Sequence, residues 1–458
     1  MQINVLKFGG TSMADHKTWK QVLEIIQKYE WPVVVVSATA RTTRQLVEAA
    51  QLASKGKLEE AFEISTSIQQ RHSKIVEDFL QENPHPKNKL IKDSCDKHTA
   101  AKISKLNKLL TYTRRQKTLS PQMKDAISAI GEQISSYLLA QCGLALDMLT
   151  QHIEARKLIK TDNEYGRANP NRLLINQRCG SLETVLESGF TPIIGGFYGE
   201  APDKTVTTLG FEGSDYTASL IGGAVGAETI EIWTDVSGVY TGDPRFITEA
   251  KPLKEMSYFD ATEMAYFGAK VLHPSTLKPA QERNIPVFVK NMFKPEDPGT
   301  KIVRDSDHDL EVLALSFKKN MATVTVSAYE TVMGYSFLTK VFAVLEKHRL
   351  AVDAVNTTEA SVTIALSDDE ILDKLSKEFI EVGTVSIEKG KGVLTLIGCS
   401  IYSADALIES VFSSLGTAET DMISFTKEKR ILNLVLNENE LVDVARTVHA
   451  KLFKNILL

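Results

Sequence analysis

The sequence predicts an α/β protein: a central, mostly parallel sheet sandwiched by helices, followed by two small α+β modules in tandem. Three observations carry this. Apolar strand-like runs alternate with helical patterns through the first two thirds of the chain, glycine-rich turns close several of those runs, and the last third repeats itself at an offset of 70 residues. Strands that alternate with helices are covered on both faces, so they read as continuous apolar runs.

The first such run is INVLKF, which ends in the turn KFGGTS at Lys7–Ser12. A helical pattern follows around Trp19–Tyr29, and then PVVVVSA at Pro32–Ala38, too apolar to alternate and so predicted as a fully buried strand. From Thr43 to Leu149 the pattern is long, polar and helical, broken only by NPHPKN at Asn83–Asn88. The lysines of Lys87–Lys108 alternate with apolar residues at helical spacing, which predicts a solvated helix face. Further strands are predicted at Thr191–Phe197, Thr229–Asp235 and Ile285–Asn291. The Pro-, Gly- and acid-rich segment Phe293–Val303 reads as a domain exit.

Beyond it, LTKVFAVL (Leu338–Leu345) resembles IESVFSSL (Ile408–Leu415), and SVTIALSDDEIL (Ser361–Leu372) matches ILNLVLNENELV (Ile431–Val442). Each copy reads strand, helix, strand, strand, helix. The expected division is 1–305 for the sheet domain, 306–391 for the first module and 392–458 for the second.

The 458 residues exceed one ordinary core, and 43% hydrophobic with 24% charged residues is a globular composition. A net charge of -5 and the lack of a basic, aromatic-studded stripe argue against nucleic-acid binding. Cys95, Cys142, Cys179 and Cys399 are scattered without metal-ligand spacing and are expected to be reduced thiols. No signal peptide is legible and no run reaches the roughly 18 apolar residues of a span, so the cytoplasm is expected, with no membrane partner.

Four motifs bear chemistry. Lys7 followed by Gly9 and Gly10 suits phosphate, because bare backbone N–H groups approach closely while the ammonium neutralises charge; a purely structural turn would read the same way. Glu132 in AIGEQISSYL stands at a predicted helix start, as a partner for a substrate ammonium or as an ordinary first-turn acid. IWTDVSGVYTGDPR (Ile232–Arg245) runs from a buried strand into a polar loop, the place where parallel sheets bind nucleotides. GAKVLHP (Gly268–Pro274) brings a second lysine, Lys270.

KFGGTS, SATARTTRQL, AIGEQIS, LGFEGSDYTAS, IWTDVSGVYTGDPR and YFGAKVLHP occur in the order seen in aspartate kinases, and the 70-residue repeats resemble the paired ACT domains of that family. The resemblance spans essentially the whole chain. It implies the amino-acid-kinase fold and phosphorylation of the β-carboxylate of L-aspartate by ATP and Mg²⁺, the first step toward lysine, threonine and methionine. It further implies that Lys7, Asp215 and Lys270 are catalytic, with Lys7 and Lys270 on the transferring phosphoryl group and Asp215 organising them. Gly9, Gly10, Ser12, Thr234, Asp235, Tyr240, Arg245 and Val271 would complete the ATP site, and Thr43, Glu132 and Ser214 would hold aspartate.

Two departures stand out. Aspartate kinases usually have Arg where this chain has Phe211, and Gly and Asn where it has Arg41 and Arg44. The expected consequence is a relocated carboxylate anchor, with Arg41 or Arg44 replacing the missing guanidinium. In the first module the resemblance implies an amino-acid effector, lysine or threonine, at Ser336, Phe337, Leu338, Val352, Asp353, Thr358 and Glu359. ACT pairing implies a homodimer. Two other readings compete: a kinase of a related carboxylic acid, and a weakly active ACT-domain sensor or partner subunit.

Overall fold

The computed structural model describes residues 1–267, 272, 274–306, 312–329, 335–348, 350–358, 360–368, 371–398, 405–426 and 430–454. They form two compact units, the first of residues 1–239, 254–258 and 272–306, the second of 240–253, 259–271 and 307–458.

The first unit is built on an eight-stranded sheet. Its strands are β1 (Asn4–Phe8), β2 (Pro32–Val36), β3 (Thr150–Ile153), β4 (Thr191–Gly195), then β7 (Thr229–Thr234), β8 (Glu255–Ser257), β9 (Val287–Asn291) and β10 (Thr300–Val303), while β5 (Tyr198–Glu200) and β6 (Val206–Thr208) form a separate hairpin. The order is β3-β4-β2-β1-β7-β9-β10-β8, parallel at every pairing except β9 with β10. Val33–Val36 of β2 are wholly buried, as a strand covered on both faces requires. Burial of each such side chain contributes about 1.5–3 kcal/mol before conformational entropy is charged against it.

The polar stretch after β2 is helical, as expected. Helix Leu58–Glu82 buries Ala61, Ile68, Ile75, Val76 and Phe79, and helix Asn88–Gln116 buries Ile91, Cys95, Ile103, Leu106 and Leu110, two stripes at three- and four-residue spacing. They form a hairpin whose turn falls at the predicted break. Asn88 Nδ2 donates there to the carbonyls of Leu80 and Asn83, filling acceptors that the helix end leaves open.

Three details differ from expectation. Lys102 and Lys105 are not on the solvated face: both are half-buried, and Lys102 Nζ donates to Gln133 Oε1 at 2.9 Å. The segment Phe293–Val303 is not wholly an exit, because β10 completes the first sheet. Strand β3 and the β5–β6 hairpin were not anticipated.

In the second unit, β11 (Ala314–Ala328), β12 (Ala354–Thr357), β13 (Ser361–Ser367), β14 (Gly383–Ile397), β15 (Thr420–Thr426) and β16 (Ile431–Asn437) make one six-stranded sheet, order β12-β13-β11-β14-β16-β15. Both copies keep the predicted sequence of strand, helix, strand, strand, helix. They share the long central pair β11–β14, whose register shifts between Lys318 and Thr323. On one side of that irregularity Val324 and Val326 pack with the first copy's core; on the other, Leu315 packs with Leu394, Leu434 and Val448 of the second. The copies are therefore interleaved through β11 and β14.

Candidate active site

Parallel strands place their C-terminal ends on one side of the sheet, and the chain reverses its order of strand addition between β1 and β7, a position that opens a crevice. Beside it lies a cavity of about 430 Å³ in the first unit. Five segments line it: Lys7 in β1 with Gly10 beyond its end, residues 37–41 after β2 with Thr43 and Arg44 of the helix that follows, Glu132, Phe197, and the stretch from Gly210 to Asp215.

Lys7 is buried and its Nζ lies 2.7 Å from Asp215 Oδ1, a close ionic contact that fixes the ammonium at the cavity floor. Asp215 and Ser214 occupy the first turn of helix Gly213–Val225, whose unpaired N–H groups and dipole favour anionic ligands. Gly196 permits the close approach of that helix: a Cβ there would meet Ser214 at 2.7 Å. Gly9 donates its N–H to the Trp233 carbonyl at 3.4 Å, a long bond, and Ser12 is buried with its hydroxyl unpaired outside the cavity lining.

Glu132 stands in the first turn of helix Ile130–Gly143, only 4% exposed, with Oε2 unpaired. Burial pushes its carboxyl up to about 8, against the backbone N–H groups of Ala38 and Glu132 itself, which pull it down. A buried carboxylate without a cation is costly, so the arrangement suits a ligand that brings an ammonium group.

Thr43, Arg41 and Arg44 border the same cavity. Arg41 has a left-handed backbone, φ 68°, at the start of helix Thr42–Ser54. Phe211 lies at the rim, 79% exposed, in the position from which the resemblance would have an arginine reach inward.

Thr234 and Asp235 follow β7, beside the end of β1, with Thr234 Oγ1 bonded to Asp235 Oδ1 at 3.1 Å. Tyr240 and Arg245 belong to the second unit, where Tyr240 bridges Pro252 and Arg245 grips Asp243 through Nε at 2.9 Å. Lys270 and Val271 lie outside the described residues. Of the effector candidates, Phe337 is a core residue of the first ACT-like copy, Ser336 and Thr358 are exposed, and Leu338 and Val352 are half-buried. Asp353 is ion-paired with Lys318, and Glu359 lies outside the described residues. Cys95, Cys142 and Cys179 are free and buried; Cys399 is not described. Among the described residues no helix is long and apolar enough to cross a membrane.

One residue of interest escaped the sequence reading. Arg71, on helix Leu58–Glu82, donates from Nη2 to Thr42 Oγ1 at 2.5 Å and so touches the loop that lines the cavity. No local pattern distinguishes it from other helical arginines.

A lysine–carboxylate pair at a glycine turn, a helix N-terminus and a buried acid for an ammonium together define the class: a phosphotransferase acting on a small amino acid. Comparison with known proteins agrees. Residues 2–291 match the amino acid kinase family. Lysine-sensitive aspartokinase 3 of Escherichia coli (strain K12) is 31% identical over 465 residues, covering 99% of this chain and 100% of its own. The crystal structure of E. coli aspartokinase III in complex with aspartate and ADP (R-state) matches with a TM-score of 0.84 at 30% identity, over 99% of this chain and 100% of that one. Its complex with lysine and aspartate (T-state) matches at 0.82 and 30% identity, over the same shares. The chain belongs to the amino acid kinase family and, within it, to the aspartokinases, which makes it an ATP-dependent aspartate kinase.

Proposed function

We propose that L-aspartate lies in the 430 Å³ cavity with its amino group on Glu132 and its β-carboxylate toward Lys7. The unpaired oxygen of buried Glu132, facing a lysine across one cavity, carries this reading. The γ-phosphate of ATP approaches over Gly9 and Gly10, with Ser12, Thr234 and Asp235 toward the nucleotide; the ATP roles of Tyr240, Arg245, Lys270 and Val271 are those that the family resemblance implies. The acceptor is already an anion at neutral pH, so no general base is needed. The residues have to align two anions and neutralise their charge, and Lys7, held by Asp215, and the N-terminus of helix Gly213–Val225 are suited to that. Mg²⁺ would supply further neutralisation.

The second carboxylate of aspartate requires a cation. Phe211 cannot donate a hydrogen bond, whereas Arg41 and Arg44 border the cavity. Replacing the working arginine by Ala is expected to raise the aspartate KM ten- to a hundredfold, the equivalent of about 1.5–3 kcal/mol. If neither substitution raises it, the anchor lies elsewhere. Trapping acyl phosphate with hydroxylamine, across aspartate and a panel of related acids, tests the acceptor itself. Turnover of another acid in place of aspartate would overturn the assignment of the cavity.

The T-state complex of the E. coli relative contains lysine, and Asp353 of the first ACT-like copy here is the acidic candidate that the family resemblance implies, so we assign this copy a lysine site. The division into 1–305, 306–391 and 392–458 is retained as the functional one, with β11 shared by the two copies. A cytoplasmic homodimer, paired through the ACT sheet, completes the proposal.

A further inference from the structure

Arg71 of the helical hairpin reaches the first residue of helix Thr42–Ser54, beside the segment that lines the cavity. Arg71 Nη2 bonds the hydroxyl of Thr42, a fully buried residue between Arg41 and Thr43. The Nε of Arg71 is buried with no partner. Among the described residues no carboxylate pairs with Arg71, Arg41 or Arg44, and burial, with the charge of Arg41 adding to it, lowers the pKa of Arg71. Two positive groups thus flank one turn, neither in an ion pair of its own, and one of the two borders the cavity.

Such an arrangement is unfavourable in the empty protein and is relieved when an anion enters beside it. A guanidinium clamped to the loop from behind also holds the Thr39–Arg44 turn in one conformation, so less ordering remains to be done on binding. Arg41 itself sits in a strained left-handed conformation that only a well-held turn would keep.

We propose that Arg71 is a positioning residue for the acceptor's second carboxylate: it clamps Thr42 so that Arg41 and Thr43 border the cavity, and it adds positive charge behind them. This rests on the reading of the cavity as an aspartate site. It extends the relocated anchor from the loop into the hairpin that covers the sheet.

The test is steady-state kinetics of Arg71→Gln, Arg71→Met and Arg71→Lys at low and high NaCl. Loss of charge in the Gln and Met variants should raise the aspartate KM about tenfold, with kcat and the ATP KM within about twofold, and should flatten its rise with salt. The Lys variant, which keeps the charge, should recover most of the affinity. A Gln variant with the wild-type aspartate KM overturns the proposal. So does a parallel fall in kcat and ATP affinity that Lys does not rescue, or a failure of all three variants to fold, since either marks a purely structural residue. If the wild type turns over no aspartate, the cavity reading fails first. The positioning role is then judged by melting temperature: succinate should stabilise the wild type more than Arg71→Gln, and equal shifts, or none, overturn it.

Discussion

Glu132 holds a proton in the empty cavity up to about pH 8, and that single group sets two opposite pH dependences. Its folded pKa is raised above the ordinary 4.5, so its own contribution to the stability of the unliganded protein declines as pH rises from about 4.5 to 8, where the unfolded chain has already released the proton. Aspartate binding runs the other way, because the ammonium needs the carboxylate. The aspartate KM should therefore fall as pH is raised toward 8, by up to about tenfold per unit, and Glu132→Gln should flatten the profile while raising KM throughout. Arg41 makes a second residue-scale prediction. An arginine at φ 68° carries backbone strain of about 1–2 kcal/mol that glycine escapes. Arg41→Gly should raise the unfolding free energy by about 0.5–1 kcal/mol while weakening aspartate, a split that a denaturant melt and a KM measurement read separately. If stability and affinity moved together, Arg41 would be a packing residue. The glycine turn at Lys7, the lone Glu132 and the absence of arginine at 211 were legible as letters. Arg71 was not, because its role depends on a partner 29 residues away.

The helices around the sheet carry two histidines, His72 and His98, and strand β3 a third, His152, that folding keeps neutral. His72 is fully buried with Nδ1 against the Ile68 carbonyl at 2.7 Å, and His98 stacks on Tyr137 at 3.8 Å, edge-on to His152 of β3. Burial lowers all three to about 4, with Lys102 adding to the effect on His98 and His152. A group depressed in this way contributes stability above its unfolded pKa of 6.5, which is lost as pH falls toward 4. Urea midpoints should drop steeply over that window, and the double variant His98→Phe with His152→Phe should shallow the slope. An unchanged slope would place the acid sensitivity elsewhere. These helices were readable from their spacing, and their break from NPHPKN. Strand β3 was not: TQHI is short and polar, and it becomes a strand only by pairing with β4.

For the molecule as a whole, the proposed assembly and regulation both fall to the second unit. Among the described residues its sheet ends in β12 and β15, with Val355 and Ile423 exposed on them. Unpaired edge N–H and C=O groups invite a second copy, and a lysine placed on an edge discourages it. Val355→Lys with Ile423→Lys should convert a dimer to a monomer by sedimentation equilibrium; a persistent dimer would mean the copies meet elsewhere. The proposed lysine site borders the same sheet: Asp353 is neutralised by Lys318 of β11, which also sits 5.2 Å from the Tyr266 ring centre. Lys318→Met strands a mostly buried carboxylate and should lower the melting temperature. Free lysine should restore more stability to that variant than it adds to the wild type. Equal shifts would remove Asp353 from the effector site.

The sequence by itself determined the periodicities, and through them the parallel sheet, the helical cover and the duplicated modules, because burial on one face or two leaves its mark on every residue of an element. It also determined the chemistry available, since lysine, glycine and carboxylate types do not change on folding. Only the tertiary structure decided which of them meet. It brought Lys7 to Asp215, turned Lys102 inward, interleaved the two modules through β11 and β14, and set Arg71 behind the substrate loop. Those outcomes depend on contacts between residues far apart in the chain, and no local pattern encodes a long-range pairing.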